Sequence, residues 1–158
     1  MTSSGDRKGA VGDGETVFAG KRCLVTGGLG FIGSNLALAL NNLGAQVTVI
    51  DACAPHHGGS VHNLSEDGGE PDPNIAVITA DIAEVSDPTV RRAAVGAEYI
   101  FNLAGEVSHV DSMTDPLAAL NSNTTSHFAF LELLRNENTD AVVVYTSTRQ
   151  VFGKSRGV

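Results

Sequence analysis

The stretch Thr26-Gly27-Gly28-Leu29-Gly30-Phe31-Ile32-Gly33 lies between two segments of opposite character. Arg22-Cys23-Leu24-Val25 before it reads as a short buried strand, and Ser34 to Leu40 after it reads as a helix rich in Ala and Leu. A strand, a glycine turn and a helix in that order constrain the chain more than any other feature, because together they build a site for a pyrophosphate. Gly27 permits the tight turn, Gly30 lets the backbone approach the phosphates with no Cβ in the way, and Gly33 lets the helix pack closely on the strand. The helix N-terminus adds free N–H groups and the positive end of its dipole.

A second element completes the pattern. Gln46-Val47-Thr48-Val49-Ile50 is a β-branched run that predicts the next parallel strand, and it ends at Asp51. The separation from the glycines is close to the roughly 20 residues expected for a carboxylate that accepts hydrogen bonds from an adenosine ribose. An Asp there favours NAD over NADP, since its charge repels a 2′-phosphate and no arginine follows closely. A helix N-cap or a turn is the plainer use of such an Asp.

The rest of the chain reads as alternating strands and crossovers. Ala52 to Asn74 is a polar loop holding Pro55, Pro71 and Pro73. Ile75–Thr79 is a third strand closing on Asp81-Ile82, and Asp87-Pro88 opens a short helix that runs to about Ala94. Glu98–Leu103 is a fourth strand. Asp115-Pro116 begins a long helical pattern through Arg135, with a polar middle, Asn121 to Ser126, of poor helix propensity. Ala141–Thr146 is a fifth strand, apolar throughout as expected for burial on both faces. The fold class is therefore α/β, a Rossmann-type parallel sheet with helices on both faces, truncated after about the fifth strand. The candidate groups all sit at carboxyl ends of strands, where such sheets bind ligands.

Composition narrows the function. The chain has 158 residues, enough for one domain, with 42% hydrophobic and only 5% aromatic residues. Its net charge of −8 argues against nucleic acid and anionic membrane surfaces as partners. No run approaches the length of a membrane span, and the first 20 residues lack the apolar core of a secretory signal. They read as a disordered tail (1–20), followed by the domain proper (21–153) and the start of a truncated loop (154–158), with no substrate-binding part. Cys23 and Cys53 form no disulfide framework or metal motif, which with the missing signal suggests a cytoplasmic protein. His56, His57 and His62 share one loop and invite a zinc reading, but lack a fourth ligand or helix-face spacing, so no metal site is expected.

The assembled motifs resemble the NAD-dependent epimerase/dehydratase family of the extended short-chain dehydrogenase/reductase superfamily, which acts on nucleotide sugars. The resemblance covers Lys21 to Gly153. It rests on Thr26–Gly33, Asp51 with Gly58-Gly59 and Asn63-Leu64, Asp81-Ile82, Asn102-Leu103-Ala104-Gly105 leading to Ser112 and Asp115-Pro116, and Ser147-Thr148-Arg149-Gln150-Val151-Phe152-Gly153. It implies that the N–H groups of Phe31 and Ile32 hold the pyrophosphate and Asp51 the ribose. Asp81 and Ile82 then border the adenine, and Leu103, Ala104 and Gly105 line the nicotinamide side. Thr148 matches a catalytic Ser/Thr that hydrogen-bonds the sugar hydroxyl being oxidised; on its own residues it is equally a strand-end hydroxyl, and Asp81 a loop acid. Glu106, His109 and Asp111 fall where the family shapes its sugar pocket. The sequence departs from the family at Asn102, where His is more usual, at Gly105, where Ala is, and at Ser126-His127, which replaces the Gly-Thr that normally follows the helix Asn matched by Asn123.

The family's general base is a Tyr with a Lys four residues later, and this pair is missing. Tyr99 and Tyr145 are the chain's tyrosines; four residues on stand Leu103 and Arg149. Two functions fit the sequence. One is the NAD-binding portion of a nucleotide-sugar epimerase or dehydratase, a soluble homodimer whose chemistry is completed by residues not given, and which is inactive as the chain stands. The other is a catalytically dead nucleotide-binding or sensor domain.

Overall fold

A computed structural model describes residues 17–54, 58–65 and 68–148. Five strands, β1 (Arg22–Thr26), β2 (Gln46–Asp51), β3 (Ala76–Thr79), β4 (Tyr99–Asn102) and β5 (Val142–Tyr145), form one parallel sheet in the order β3-β2-β1-β4-β5. The helices are α1 (Phe31–Asn42), α2 (Pro88–Gly96), α3 (His109–Thr114), α4 (Pro116–Leu120) and α5 (Ser126–Glu137). The sheet is parallel because each strand is followed by a crossover that returns over one face to the same end. β1 is central, pairing Thr26 with Ile50 on one side and with Asn102 on the other. The chain leaves β1 for opposite sides of the sheet, and a crevice opens where those directions diverge.

The two faces hold separate cores, as alternation along the strands requires. Cys23, Val25, Val47 and Val49 pack with Ala37 and Leu40 of α1 on one face. Leu24, Ile50 and Ile100 pack with Val90 and Ala94 of α2 and with Phe130, Leu133 and Leu134 of α5 on the other. Burial pushes the Cys23 thiol up to about 11, so it stays a protonated core group. Asp87 accepts from the N–H groups of Thr89 (2.6 Å) and Val90 (3.2 Å), and with Pro88 it starts α2 where the sequence indicated.

Four expectations need correction. The tail ends earlier than Gly20, because Phe18 lays its ring against Tyr99 and Phe101, at centroid distances of 5.1 and 6.2 Å, and Gly20 N–H donates to Gly44 C=O. The long loop after Asp51 contains a 3-10 turn, Val61–Leu64, pinned by the buried Leu64. The helical pattern from Asp115 to Arg135 is interrupted by a π turn at Asn121–Thr125, and α3 precedes it unannounced. β5 is apolar but not buried: its side chains are 37–51% exposed, because among the described residues β4 is its one neighbour and no helix covers its outer side. The remaining tail, the loop at 154–158, and His56 and His57 lie outside the described residues. No helix among the described residues is long and apolar enough to cross a membrane.

A candidate dinucleotide cleft at the strand ends

A cleft of about 530 Å³ opens at the carboxyl ends of β1, β2 and β4. Gly27, Gly30, Phe31, Ile32, Gly33, Asp51, Asp81, Ile82, Leu103, Ala104 and Gly105 all line it, so the structure brings together every residue the sequence singled out for a cofactor. Thr146 and Ser147 close the far wall. Thr148 is exposed just beyond them.

The floor is the glycine turn. Gly27 adopts φ +65°, and a Cβ there would lie 2.8 Å from Ala104 N, so the turn butts directly against the backbone that follows β4. At Gly33 a Cβ would come within 2.2 Å of Gly27 O, which shows how tightly α1 is drawn onto the turn. At Gly30 it would meet only Gly27 O, at 3.4 Å. The space above Gly30 is thus open to the cleft. Gly30 caps α1 with no side-chain hydrogen bond, and no acidic residue occupies the first turn. Among the described residues the helix start therefore keeps unpaired donors, with a positive dipole end facing the cavity, which suits a pyrophosphate.

Asp51 forms one rim. Its Oδ2 accepts from Leu29 N–H at 3.0 Å and its Oδ1 from Cys53 N–H at 2.8 Å. Each carboxylate oxygen retains acceptor capacity, and Gly59, whose Cβ would lie 3.2 Å from Oδ1, leaves that side clear. Asn63 explains why the loop returns here: its Nδ2 donates to Leu29 C=O (2.7 Å) and to Gly58 C=O (3.1 Å), and Ser60 N–H also donates to Leu29 C=O. Asp81 is exposed and spends Oδ1 on Ala83 N–H at 2.8 Å, while Ile82 beside it is buried.

The opposite wall is the segment after β4. Asn123, carried on the π turn, accepts from Glu106 N–H at 2.8 Å and donates to Glu106 C=O at 3.0 Å. A Cβ at Gly105 would lie 2.9 Å from Asn123 Oδ1, so an alanine here would displace the Asn123 side chain from its bonds to Glu106. Glu106 lines the cleft but turns Oε1 back to Ser108 N–H (2.6 Å), and Asp111 is exposed in the first turn of α3; the side chain of His109 lies outside the described residues. His62 is exposed on the 3-10 turn, and no three metal-ligating side chains converge among the described residues. Ser122, which lines the wall with Ser126, was not singled out in sequence; the polar interruption of the helical pattern was its only signal.

A glycine turn, an uncapped helix N-terminus and a carboxylate at the end of the second strand, gathered at the point where strand order reverses, define a Rossmann-type dinucleotide-binding domain. Residues 24–158 match the model of the family described as GDP-mannose 4,6 dehydratase, and the chain belongs to that family, within the NAD-dependent epimerases and dehydratases of the extended short-chain dehydrogenase/reductase type. It is 30% identical over 133 residues to the CDP-paratose 2-epimerase of Salmonella typhi, covering 84% of this chain and 38% of that protein. Among solved structures it resembles the UDP-N-acetylglucosamine 4-epimerase of Methanobrevibacter ruminantium M1 in complex with UDP-N-acetylmuramic acid, with 28% identity and a TM-score of 0.71 over 87% of this chain and 41% of that one. It also resembles the enzyme WbmF of Bordetella bronchiseptica in complex with NAD+ and UDP, with 27% identity and a TM-score of 0.65 over 81% and 36% of the respective chains. The chain thus spans about two fifths of the length of these relatives.

Proposed function

We propose that this chain is the NAD-binding portion of a cytoplasmic nucleotide-sugar epimerase or dehydratase. The observation that carries the reading is the open space over Gly30 at the uncapped start of α1, with the Asp51 carboxylate at the rim of the same cleft. In this reading the N–H groups of Phe31 and Ile32 hold the pyrophosphate, Asp51 the adenosine ribose, and Asp81 and Ile82 border the adenine. Leu103, Ala104 and Gly105 line the nicotinamide side. Bound NAD supplies a hydride acceptor for a sugar carbon. Thr148 orients the sugar hydroxyl, a task a neutral hydroxyl can perform, but it is far too weak a base to remove the proton near neutral pH. Relatives bound to a UDP-sugar or UDP support a nucleotide sugar as substrate; in this reading the enzyme works as a homodimer.

Calorimetric titration of the chain tests the reading: NAD should bind more tightly than NADP, and Asp51→Ala should narrow the difference. Equal affinities in the unsubstituted protein would refute the role of Asp51. A nucleotide-binding domain without catalysis is the second reading, favoured by one observation. Tyr145 lacks a Lys four residues on and faces the ring of His127 edge-on at 5.2 Å. Turnover assays on UDP-, dTDP- and CDP-sugars, with the chain alone and with the chain extended through any downstream Tyr-x-x-x-Lys, separate the two.

A further inference from the structure

Behind the cleft wall a circuit of hydrogen bonds starts from Ala104 and runs to His127. Its N–H donates to Thr26 Oγ1 at 3.2 Å, and Thr26 Oγ1 donates to Asn102 Oδ1 at 2.6 Å. Asn102 Nδ2 stands 3.0 Å from His127 Nδ1, and His127 Nε2 lies 4.0 Å from the place a Cβ on Gly105 would take. Thr26, Asn102 and His127 are all buried, at 0, 1 and 5% exposure. The direction of every bond follows from the first. A backbone N–H can only donate, which leaves Asn102 as the one neighbour in this circuit able to accept the Thr26 proton, so it presents Oδ1. That leaves the Asn102 amide to donate to His127 Nδ1, which must be bare. The ring proton then sits on Nε2.

We propose that His127 is a positioning residue, whose neutral Nε2–H form locks the Leu103–Gly105 segment in the shape that receives the nicotinamide end of the cofactor. The inference rests on the cofactor reading above. Three strands and a helix meet in this circuit: β1 through Thr26, β4 through Asn102, α5 through His127, and β5 through Tyr145, whose ring packs on the imidazole. The segment it holds is also pressed against Gly27, so a change at His127 reaches the cleft through backbone. A proton on Nδ1 would set two donors against each other. Turning the Asn102 amide over would leave the buried Thr26 hydroxyl proton with no acceptor among the described residues. Burial holds the imidazole below its ordinary value, against the pull of the Ala104 carbonyl and of Asp81 from the loop after β3. Of the other ionisable groups near it, Tyr145 comes from β5, and Glu106 is turned to Ser108 N–H.

Nitrogen-15 NMR of the imidazole, paired with titrations of NADH and of ADP-ribose across pH, tests this. ADP-ribose keeps the adenosine and pyrophosphate but lacks the nicotinamide. His127 should show the Nε2–H tautomer, and the Ala104 and Gly105 amide resonances should move with its titration. NADH affinity should fall about tenfold one pH unit below the His127 midpoint, as the competent fraction falls, while ADP-ribose affinity holds. Thr26→Val, which removes the hydroxyl that sets the direction of the circuit, should loosen the tautomer preference and weaken NADH at all pH values. His127→Gln should remove the pH dependence. NADH affinity independent of pH, an equal loss for ADP-ribose, or turn resonances that ignore His127 would overturn the positioning role. Failure of NADH to bind at any pH, with the resonances still following His127, would instead overturn the cofactor reading.

Discussion

Replacing Gly33 and Gly30 separately by Ala distinguishes a glycine needed for packing from one needed for a ligand. At Gly33 the added Cβ would lie 2.2 Å from Gly27 O and 2.7 Å from Gly28 Cα, both backbone atoms, more than an ångström short of an ordinary contact at Gly27. α1 must therefore lift off the turn. Overpacking of this kind costs about 1–3 kcal/mol, and the clash with fixed backbone puts Gly33 at the upper end; the better helix propensity of Ala returns at most about 1 kcal/mol. A net loss of about 2 kcal/mol, at a urea m-value of about 2 kcal/mol/M, lowers the midpoint by about 1 M. At Gly30 the Cβ has room and the backbone is extended, φ −74°, ψ 174°, so stability should hold or rise by up to about 1 kcal/mol as the unfolded chain loses freedom. NAD affinity should nevertheless fall tenfold or more, about 1.4 kcal/mol, because the methyl occupies the approach to the helix start. Urea unfolding followed by circular dichroism reads the first effect and calorimetry the second. A Gly33→Ala protein with an unchanged midpoint would refute the close packing, and a Gly30→Ala protein with unchanged affinity would refute the cradle.

Acid should destabilise the fold through His127: its folded value lies below the ordinary 6.5, so the unfolded chain takes up the proton first. The stabilisation is complete above about pH 6.5 and is lost as pH falls through the folded value, and His127→Gln should flatten that part of a plot of melting temperature against pH. Asn138 Nδ2 donates to the carbonyls of Ala94 and Ala97 at 2.8 Å each, tying the end of α5 to the end of α2, so Asn138→Ala should cost about 1–2 kcal/mol in urea unfolding. The 158-residue chain should show no epimerase or dehydratase turnover with any nucleotide sugar and added NAD, since loss of a positioned general base alone forfeits about 10²–10⁴-fold; measurable turnover would reveal a base other than the Tyr-Lys pair.

The glycine turn and Asp51 were legible because their requirements are local: a positive φ, a close approach, a carboxylate at a strand end. The parallel sheet followed from runs of apolar residues punctuated by glycine and proline. What escaped was set by tertiary partners. The polar middle of the long helical pattern signalled an interruption, but its π form goes with the paired hydrogen bonds of Asn123 to the backbone of Glu106, 17 residues earlier. α3 has no apolar stripe buried beneath it to mark it. The apolar letters of β5 fit a central strand, and nothing in Val142–Tyr145 itself reveals what covers it. The Thr26–Asn102–His127 circuit was hardest to see, since each member alone is an ordinary polar residue; the trace it left was that Asn102 and Ser126-His127 both depart from the family pattern.

The central place of β1 also has a consequence in time. On one side the chain closes short distances: the bond from Leu29 to Asp51 spans 22 residues. On the other, the bond from Thr26 to Asn102 spans 76. Loop-closure entropy makes the longer closure about 1 kcal/mol dearer before any contact compensates it. The glycine turn, its helix and the Asp51 rim can therefore assemble as β1 and β2 meet, while the wall that faces them waits for β4. As the chain leaves a ribosome, the phosphate end of the cleft takes shape first and the nicotinamide end last.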